Sequence, residues 1–295
     1  MRPAVGILLF LVVLLAGDRL AAHVFGRFID YSKEPMAALY GGRGEADVLI
    51  LGNSRAFRHF DAATLAARFN ASVANLGYDA LPMESAAALL ADYIDRYGAP
   101  RVVILELSSL STGPAAIANA RTFATRSHRQ AELVREHFPE FYFAGTVSHL
   151  LNYNSKFALN MAHKVVSARK PQVLNGTEGL GPPAARDYFT PLPANLVALN
   201  NILRLAVENQ LDLRLVVAPV WQPFGQLNGV REFRALLQSV AAGRRVWYFA
   251  DDERFPSHLF FDEAHLNSDG VNLFMSFLDR DDFFALPSAA APPTR

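Results

Sequence analysis

The sequence predicts an α/β protein with a parallel five-stranded sheet, helices on both faces of that sheet, and one N-terminal transmembrane helix. Two observations predict the sheet: five short runs of apolar residues, and amphipathic segments between them. Uninterrupted apolar runs are typical of strands covered on both faces, and their alternation with helices implies parallel strands joined by right-handed crossovers. A third observation, an apolar run at the amino terminus, predicts the transmembrane helix. The five strand segments are residues 47–51, 72–76, 101–107, 213–218 and 246–249.

The amphipathic segments predict helices, and the first of them has a capping residue. Asp61 stands directly before residues 62–69, where its carboxylate can accept a hydrogen bond from a backbone N–H group of the first turn. Residues 113–193 break the alternation, and we interpret them as an insertion after the third strand that forms a lid or a substrate platform. The other predicted helices cover residues 84–97, 195–209 and 230–242, with 126–137 and 155–168 inside the insertion.

The amino terminus predicts a signal anchor. Residues 4–17 are apolar or small without interruption, Arg2 precedes them, and the apolar pattern continues on one helical face to Ala22. Positive charge before a span favours an orientation with the amino terminus inside and the rest of the chain outside. In a Gram-negative bacterium this predicts a single-pass inner-membrane protein whose main domain lies in the periplasm. The alternative is a cleaved signal peptide, with cleavage at Ala22 and secretion of the remainder.

These segments predict three parts of the chain. Residues 1–28 form the anchor and the start of a stalk that reaches residue 46, and residues 29–285 form the α/β domain with its insertion. Residues 286–295 are rich in proline and alanine, and we expect them to be a flexible tail.

The composition excludes several classes of function. Lys and Arg together number 28, as do Asp and Glu, so the net charge of zero argues against a protein that mainly binds nucleic-acid phosphates. The chain has no cysteine, which excludes disulfides, a cysteine nucleophile and thiolate metal sites. It contains no His-Glu-x-x-His or comparable pattern, so the sequence implies neither a metal nor another cofactor.

Two segments that a parallel sheet brings to one edge contain candidate catalytic residues. The first predicted strand ends at Gly52, which permits a tight turn, and Ser54 follows. In a late loop, Asp262 stands three positions before His265, so its carboxylate can bind the Nδ1–H group of the imidazole. The other imidazole nitrogen can then serve as a base for a serine, which is a weak nucleophile without one. His258 is a competing candidate for the base.

The Gly-Asn-Ser sequence after the first strand and the Asp-x-x-His-Leu-Asn sequence of the late loop resemble the SGNH/GDSL hydrolase superfamily. More narrowly, the chain resembles its membrane-anchored members, acyltransferases or esterases that act on envelope polysaccharides. The resemblance covers about residues 48–277 and implies a flavodoxin-like sheet. It also implies that Ser54 is the nucleophile, His265 the base and Asp262 the residue that orients the base.

The resemblance further implies an oxyanion hole, which binds the negative charge that develops on the reacting carbonyl oxygen. Its donors would be Ser54 and the backbone N–H group of Gly77. The superfamily adds an asparagine from a Gly-x-Asn-Asp sequence after the third strand, but residues 106–109 of this chain read Glu-Leu-Ser-Ser. The hydroxyl group of Ser108 is the candidate replacement. A missing donor lowers the rate by on the order of 10²–10³.

Three further residues at the same edge are candidate substrate contacts. Arg55 directly follows the candidate nucleophile, and its charge suits the carboxylate of a uronic-acid sugar. Pairing of Arg55 with Asp61 or Glu106 is the alternative. Trp221 and Gln222 follow the fourth strand and suit a platform on which a sugar ring stacks, with core packing as an equal alternative.

These observations predict a membrane-anchored, periplasm-facing serine esterase or O-acyltransferase, with acetyl as the expected acyl group. The expected substrates are an acyl ester and a cell-envelope or exported polysaccharide, and the expected partner is a membrane protein of polysaccharide export or acyl transfer. The alternative is a catalytically degenerate protein of the same fold that binds glycan or serves as a scaffold subunit of an export machine. A nucleotide-binding protein ranks last, because no glycine-rich phosphate loop follows the first strand.

Overall fold

The computed structural model describes residues 3–167, 173–177, 189–221, 229–241 and 243–287. The strands are β1 (Val48–Leu51), β2 (Val73–Asn75), β3 (Val102–Glu106), β4 (Asp212–Val217) and β5 (Val246–Tyr248). The α-helices are α1 (Pro3–Asp30), α2 (Pro35–Tyr40), α3 (Ser54–His59), α4 (Ala62–Phe69), α5 (Met83–Tyr97), α6 (His128–His137), α7 (Pro139–Val147), α8 (Lys156–Val166), α9 (Pro193–Glu208), α10 (Val230–Val240) and α11 (Ser268–Asp279). Short 3-10 helices cover Leu107–Ser111, Pro114–Phe123, His149–Tyr153 and Ser257–Leu259.

The chain forms two compact units. The N-terminal unit consists of Met1–Gly44 and Pro114–Lys170, and the sheet unit consists of Glu45–Gly113 and Pro171–Arg295. Residues 114–167 of the predicted insertion belong to the same unit as α1. Of the predicted tail, residues 288–295 lie outside the described residues, as do residues 168–172 and 178–188 of the insertion.

The sheet unit contains a five-stranded sheet in the order β2-β1-β3-β4-β5, in which each pair of neighbours is parallel. This confirms the predicted fold class, an α/β protein with an all-parallel sheet flanked by helices. The order 2-1-3-4-5 is that of flavodoxin-like doubly wound sheets, in which the winding reverses between β1 and β3. Ligands of such sheets bind outside the carboxyl ends of the strands at this reversal.

Both faces of the sheet are covered. Val48 and Ile50 of β1 belong to a buried apolar cluster with Phe274 of α11. The alternate residues Leu49 and Leu51 are equally buried, and successive side chains of a strand point to opposite faces. Burial on both faces is why the strand segments read as continuous apolar runs instead of alternating ones.

Local signals set the ends of the helices. The Asp61 carboxylate accepts a hydrogen bond from the backbone N–H group of Thr64 at 2.8 Å. The helix α4 begins at Ala62, directly after Asp61, as predicted. The helix ends at Asn70, whose φ of 50° is a left-handed conformation that asparagine tolerates. The predicted helices after the second, third and fourth strands correspond to α5, α9 and α10, with ends that agree to within two residues.

The N-terminal unit is built on α1, which is longer than the predicted span. The helix is apolar enough and long enough to cross a membrane, by its length and composition. The predicted stalk is not an extended linker, because α1 continues to Asp30 and α2 follows shortly after it. Ile29 and Leu39 are fully buried, so this segment belongs to the packed unit.

The first part of the predicted insertion packs with α1. The ring of Tyr153 meets the ring of Phe25 edge to face with 5.3 Å between centroids, and Arg126 forms an ion pair with Asp30. Residues 114–167 therefore complete the core of the N-terminal unit, which differs from the lid or substrate platform that the sequence suggested.

A substitution of the buried Asn195 in α9 tests the packing of the sheet unit. Its Nδ2 donates to the carbonyl oxygens of Leu110 and Thr112 at 3.0 and 2.9 Å, and its Oδ1 accepts from the N–H group of Met83 at 3.0 Å. Asn195→Ala leaves buried backbone groups without their partner, so the free energy of unfolding should fall by about 2–3 kcal/mol. Asn200→Ala, at an exposed position of α9, is the matched control and should change it by less than about 0.5 kcal/mol. Urea denaturation measures both, and equal effects would contradict the prediction.

Candidate active site

The turn after β1 places Ser54 at the carboxyl edge of the sheet. Gly52 has a φ of +140°, and a β-carbon on it would lie 2.9 Å from Cβ of Glu106. This turn therefore requires glycine. The side chain of Asn53 accepts a hydrogen bond from the N–H group of Arg55 at 3.0 Å, so it caps α3, and Ser54 becomes the first residue of that helix.

The loop between Ser257–Leu259 and α11 holds Asp262 and His265. Asp262 Oδ1 accepts hydrogen bonds from the backbone N–H groups of Ala264 at 2.8 Å and His265 at 2.9 Å. The N–H group of Phe261 donates to the carbonyl oxygen of His265 at 2.8 Å and closes the loop. An aspartate that binds backbone groups two and three positions later is a local turn feature, which brings its carboxylate next to the imidazole.

Three side chains at this edge form a continuous chain of hydrogen bonds. Ser54 Oγ lies 2.8 Å from His265 Nε2, and His265 Nδ1 lies 2.8 and 2.9 Å from the two carboxylate oxygens of Asp262. His258, the competing candidate for the base, is exposed, and it is His265 that contacts the serine. The structure thus brings together the serine, histidine and aspartate that the sequence singled out.

The electrostatics keep Asp262 ionised. Burial alone would raise the pKa of its carboxyl group, but hydrogen bonds from the His265 side chain and from two backbone N–H groups lower that pKa below its ordinary value. An ionised carboxylate holds the imidazole proton on Nδ1, which leaves the lone pair of Nε2 directed at Ser54. In this arrangement His265 can accept the hydroxyl proton while Ser54 Oγ forms a bond to an electrophilic carbon.

His59, which the sequence did not single out, supports the loop that carries His265. Its side chain is buried, and its Nε2 accepts a hydrogen bond from the backbone N–H group of Leu266 at 3.0 Å. Burial, aided by the nearby charges of Arg55 and Arg58, lowers the pKa of His59 well below its ordinary value, so the ring is neutral. His59 therefore holds the residue next to His265. A lone histidine on a helix gives no sequence signal that separates this contact from simple packing.

The two backbone donors expected in an oxyanion hole differ in their availability. The N–H group of Ser54 makes no hydrogen bond within the described part of the chain. The N–H group of Gly77 instead donates to Oδ1 of Asn75 at 2.9 Å, which competes with the role the resemblance implies. Packing requires this glycine independently, because a β-carbon there would lie 2.8 Å from the backbone nitrogen of Phe57.

The hydroxyl group of Ser108 faces two buried acceptors. Its Oγ lies 2.9 Å from Asn53 Oδ1 and contacts a carboxylate oxygen of Glu106. A hydroxyl group has one proton, so donation to either acceptor leaves none for a substrate oxyanion. The other oxygen of Glu106 accepts a hydrogen bond from the N–H group of Ala218 at 3.2 Å. In place of the expected third donor, the chain has a buried network that joins the ends of β3 and β4.

Arg55 belongs to this buried network. The side chain is 2% exposed, and its positive charge lies close enough to Glu106 to oppose the rise in pKa that burial causes in that carboxyl group. The buried guanidinium next to a protein carboxylate favours the pairing alternative over the predicted substrate contact, because its charge lies inside the protein. Of the two pairing alternatives, the structure favours Glu106 over Asp61.

Trp221, another candidate substrate contact, follows β4 in the chain. Trp221 is half-buried and packs against the apolar cluster, and its backbone N–H group donates to the carbonyl oxygen of Glu263 at 3.2 Å. This contact joins the segment after β4 to the loop that carries His265. Gln222 lies outside the described residues.

Comparison with known proteins assigns no family, since no protein-family model and no curated protein sequence matches the chain. The resemblance to the SGNH/GDSL superfamily therefore rests on its residues alone. Among the described residues, no group of three or more His, Asp and Glu side chains is arranged to hold a metal ion. What the site can do follows from its own geometry.

The neutral state of His59 predicts a pH dependence of stability. Below about pH 6.5, the ordinary pKa of histidine, the unfolded chain binds a proton that buried His59 does not, so the free energy of unfolding should fall as the pH falls. His59→Gln should remove this part of the pH dependence, whereas His128→Gln, at an exposed histidine, should keep it. Urea denaturation at about pH 7.5 and about pH 5.5 measures the difference. The same pH dependence in wild type and His59→Gln would refute the neutral assignment.

Proposed function

We propose that the chain is a serine esterase or O-acyltransferase whose nucleophile is Ser54. The observation that carries this proposal is the 2.8 Å contact between Ser54 Oγ and His265 Nε2, with the Asp262 carboxylate on the other imidazole nitrogen. A serine hydroxyl needs such a base, and the carboxylate keeps the base in the required tautomer. The position at the carboxyl edge of a doubly wound sheet, where ligands of such folds bind, supports the same proposal.

The chemistry proceeds in two halves. Ser54 Oγ forms a bond to the acyl carbon of an ester while its proton passes to His265 Nε2, and the acyl oxygen becomes negatively charged next to the Ser54 N–H group. The bond to the alcohol oxygen then breaks, that oxygen takes the proton from His265, and the acyl group remains on Ser54. In the second half, water or a glycan hydroxyl transfers its proton to His265 and its oxygen bonds to the acyl carbon. An acid or a new ester leaves, and the serine hydroxyl is restored.

The substrate class and the location rest on the resemblance and on α1. The proteins that the chain resembles act on envelope polysaccharides, so we propose an O-acetylated or acetyl-accepting polysaccharide as substrate. The apolar half of α1 would anchor the chain in the inner membrane, with Arg2 inside and the sheet unit in the periplasm. A cleaved signal would satisfy the same hydropathy. Cleavage at Ala22 would however remove Asp18 and Arg19, whose side chains hydrogen-bond backbone groups of residues 146–150, and these contacts favour retention of the helix.

A second function, a glycan-binding or scaffold subunit of an export machine, is favoured by one observation. Of the donors expected in the oxyanion hole, Gly77 and Ser108 already have partners within the protein. Loss of one donor lowers a rate by on the order of 10²–10³, so a hole that relied on Ser54 alone would be a weak catalyst of ester hydrolysis. Whether Ser54 reacts at all separates the two functions.

A fluorophosphonate probe, which reacts with activated serines, tests Ser54 directly. The full chain should be labelled, and Ser54→Ala should abolish the labelling, because the imidazole activates only the hydroxyl that it contacts. Ser239→Ala is the control and should keep the labelling, since this exposed hydroxyl group donates to the carbonyl oxygen of Leu236 and should not react. Labelling that survives in Ser54→Ala would contradict the proposal. Unlabelled wild type that still binds glycan would favour the scaffold.

Substitutions of Ser54, His265 and Asp262 should have non-additive effects on activity, because the three residues act together. With a small acetyl ester, Ser54→Ala and His265→Ala should each lower kcat by on the order of 10⁴-fold or more, and the double variant should be scarcely worse than either. Asp262→Asn should cost less, because His265 remains as a base with a poorer orientation. Steady-state kinetics of the four variants measure this. Independent, multiplicative losses would show that the residues do not share one proton path.

A further inference from the structure

The end of α7 and the 3-10 helix after it present apolar side chains to solvent. Phe143 and Val147, one turn apart on α7, are 63% and 69% exposed, and Leu150 and Leu151 are 40% and 41% exposed. We call these four residues the apolar corner. Exposure of apolar surface to water costs about 25 cal/mol per Å², so a contiguous patch of this kind marks a contact with another apolar phase.

Asp18 of α1 fixes the position of the apolar corner. Its carboxylate accepts hydrogen bonds from the backbone N–H groups of His149 at 2.8 Å and Leu150 at 3.3 Å, and from the hydroxyl group of Ser148. A carboxylate is favourable at the beginning of a helix, where backbone N–H groups lack partners. Asp18 therefore holds the start of the 3-10 helix against α1.

Arg19, the next residue of α1, holds the other side of the apolar corner. Its guanidinium donates to the carbonyl oxygens of Thr146 at 3.1 Å and Val147 at 2.9 Å, at the end of α7. It also pairs with the Asp18 carboxylate at 3.0 Å. Asp18 and Arg19 thus pair with each other and bind the backbone groups where α7 ends and the 3-10 helix begins. These bonds place the apolar corner beside residues 18 and 19 of α1.

Residues 18 and 19 lie near the outer boundary of a membrane crossed by α1. A helix rises about 1.5 Å per residue, and a hydrocarbon core of about 30 Å needs about 20 residues. A span that begins at Pro3 ends near Ala22, so Asp18 and Arg19 lie about 6 Å inside the outer boundary. Charges at this depth are tolerated when they are paired and hydrogen-bonded, and the backbone of the apolar corner supplies those partners.

The apolar surface of α1 continues past the two charges towards the apolar corner. Leu20, Val24 and Phe28 are exposed on α1, and together with Leu150 they line a groove of about 590 Å³. The exposed apolar surface of α1 therefore continues to Leu150 of the apolar corner. This continuity identifies lipid as the occupant, because the same face of α1 is in the bilayer one turn earlier.

We propose that the apolar corner lies in the outer leaflet, beside α1, with its side chains among the upper parts of the acyl chains. The N-terminal unit would then contact the membrane through a surface as well as through a helix, which fixes its height above the bilayer. This inference rests on the membrane anchor of the proposed function and is independent of the chemistry at Ser54.

The absence of cysteine from the chain makes a site-specific test direct. Leu150→Cys in the full-length protein is labelled with the fluorophore NBD and placed in vesicles of phosphatidylethanolamine and phosphatidylglycerol. Lipids brominated near the headgroup end of the acyl chain should quench most of its fluorescence. Val12→Cys, in the middle of the span, should be quenched best by lipids brominated near the chain end. Glu136→Cys, exposed on the polar helix α6, should keep its fluorescence with both.

The outcomes separate this inference from the anchor on which it rests. If the Val12 probe is quenched but the Leu150 probe behaves like the Glu136 probe, the apolar corner is outside the membrane and the inference is wrong. If the Val12 probe is not quenched, the anchor itself is wrong. A Leu150 probe with blue-shifted but unquenched emission would show that protein covers the apolar corner, which also overturns the inference. Val147→Cys repeats the test, and unchanged thermal unfolding of each labelled variant confirms its fold.

Discussion

The hydrogen bond between Ser54 and His265 depends on one constraint, that parallel strands all end at the same edge of a sheet. The two residues are 211 positions apart, yet one follows β1 and the other stands in the loop before the helix that packs on that strand. The close approach of Gly52 to Glu106 sets where the serine leaves the sheet. The bond from Leu266 to His59 sets where the histidine arrives. Each half of the contact is therefore fixed by a different part of the same edge.

The buried network beside the site determines how a reaction could be stabilised. Glu106 is fully buried, so its pKa is raised, and the charge of Arg55 opposes that rise. Ser108 contacts Asn53 and Glu106 through its hydroxyl group, and its backbone N–H group donates to Glu106 at 3.1 Å. The network links the segments that follow β1, β3 and β4, and its polar groups bind one another inside the protein. Stabilisation of a developing negative charge is then left to the Ser54 N–H group and to groups that a bound substrate would itself rearrange.

The sequence predicted most of the sheet and the local half of the site. The strands were evident because residues buried on both faces leave an uninterrupted apolar run, and the contact of Asp262 with His265 was evident because it is local. The sequence did not predict the bond from Leu266 to His59, and it left open whether Arg55 lies beside Glu106, beside Asp61 or towards a substrate. These contacts join residues far apart in the chain and depend on how helices and loops pack, which neither spacing nor periodicity records.

The difference between local signals and contacts of distant residues also applies to the amino terminus. In the sequence, Asp18 and Arg19 lie near the outer end of the predicted span, where charges at a membrane interface are expected. In the structure their side chains bind backbone groups of residues 146–150, so they dock this segment against α1. A hydropathy pattern cannot separate these two roles, because both place charges after the same number of apolar residues. Only the partners of the charges do so, and here those partners make α1 part of a folded unit as well as a candidate span.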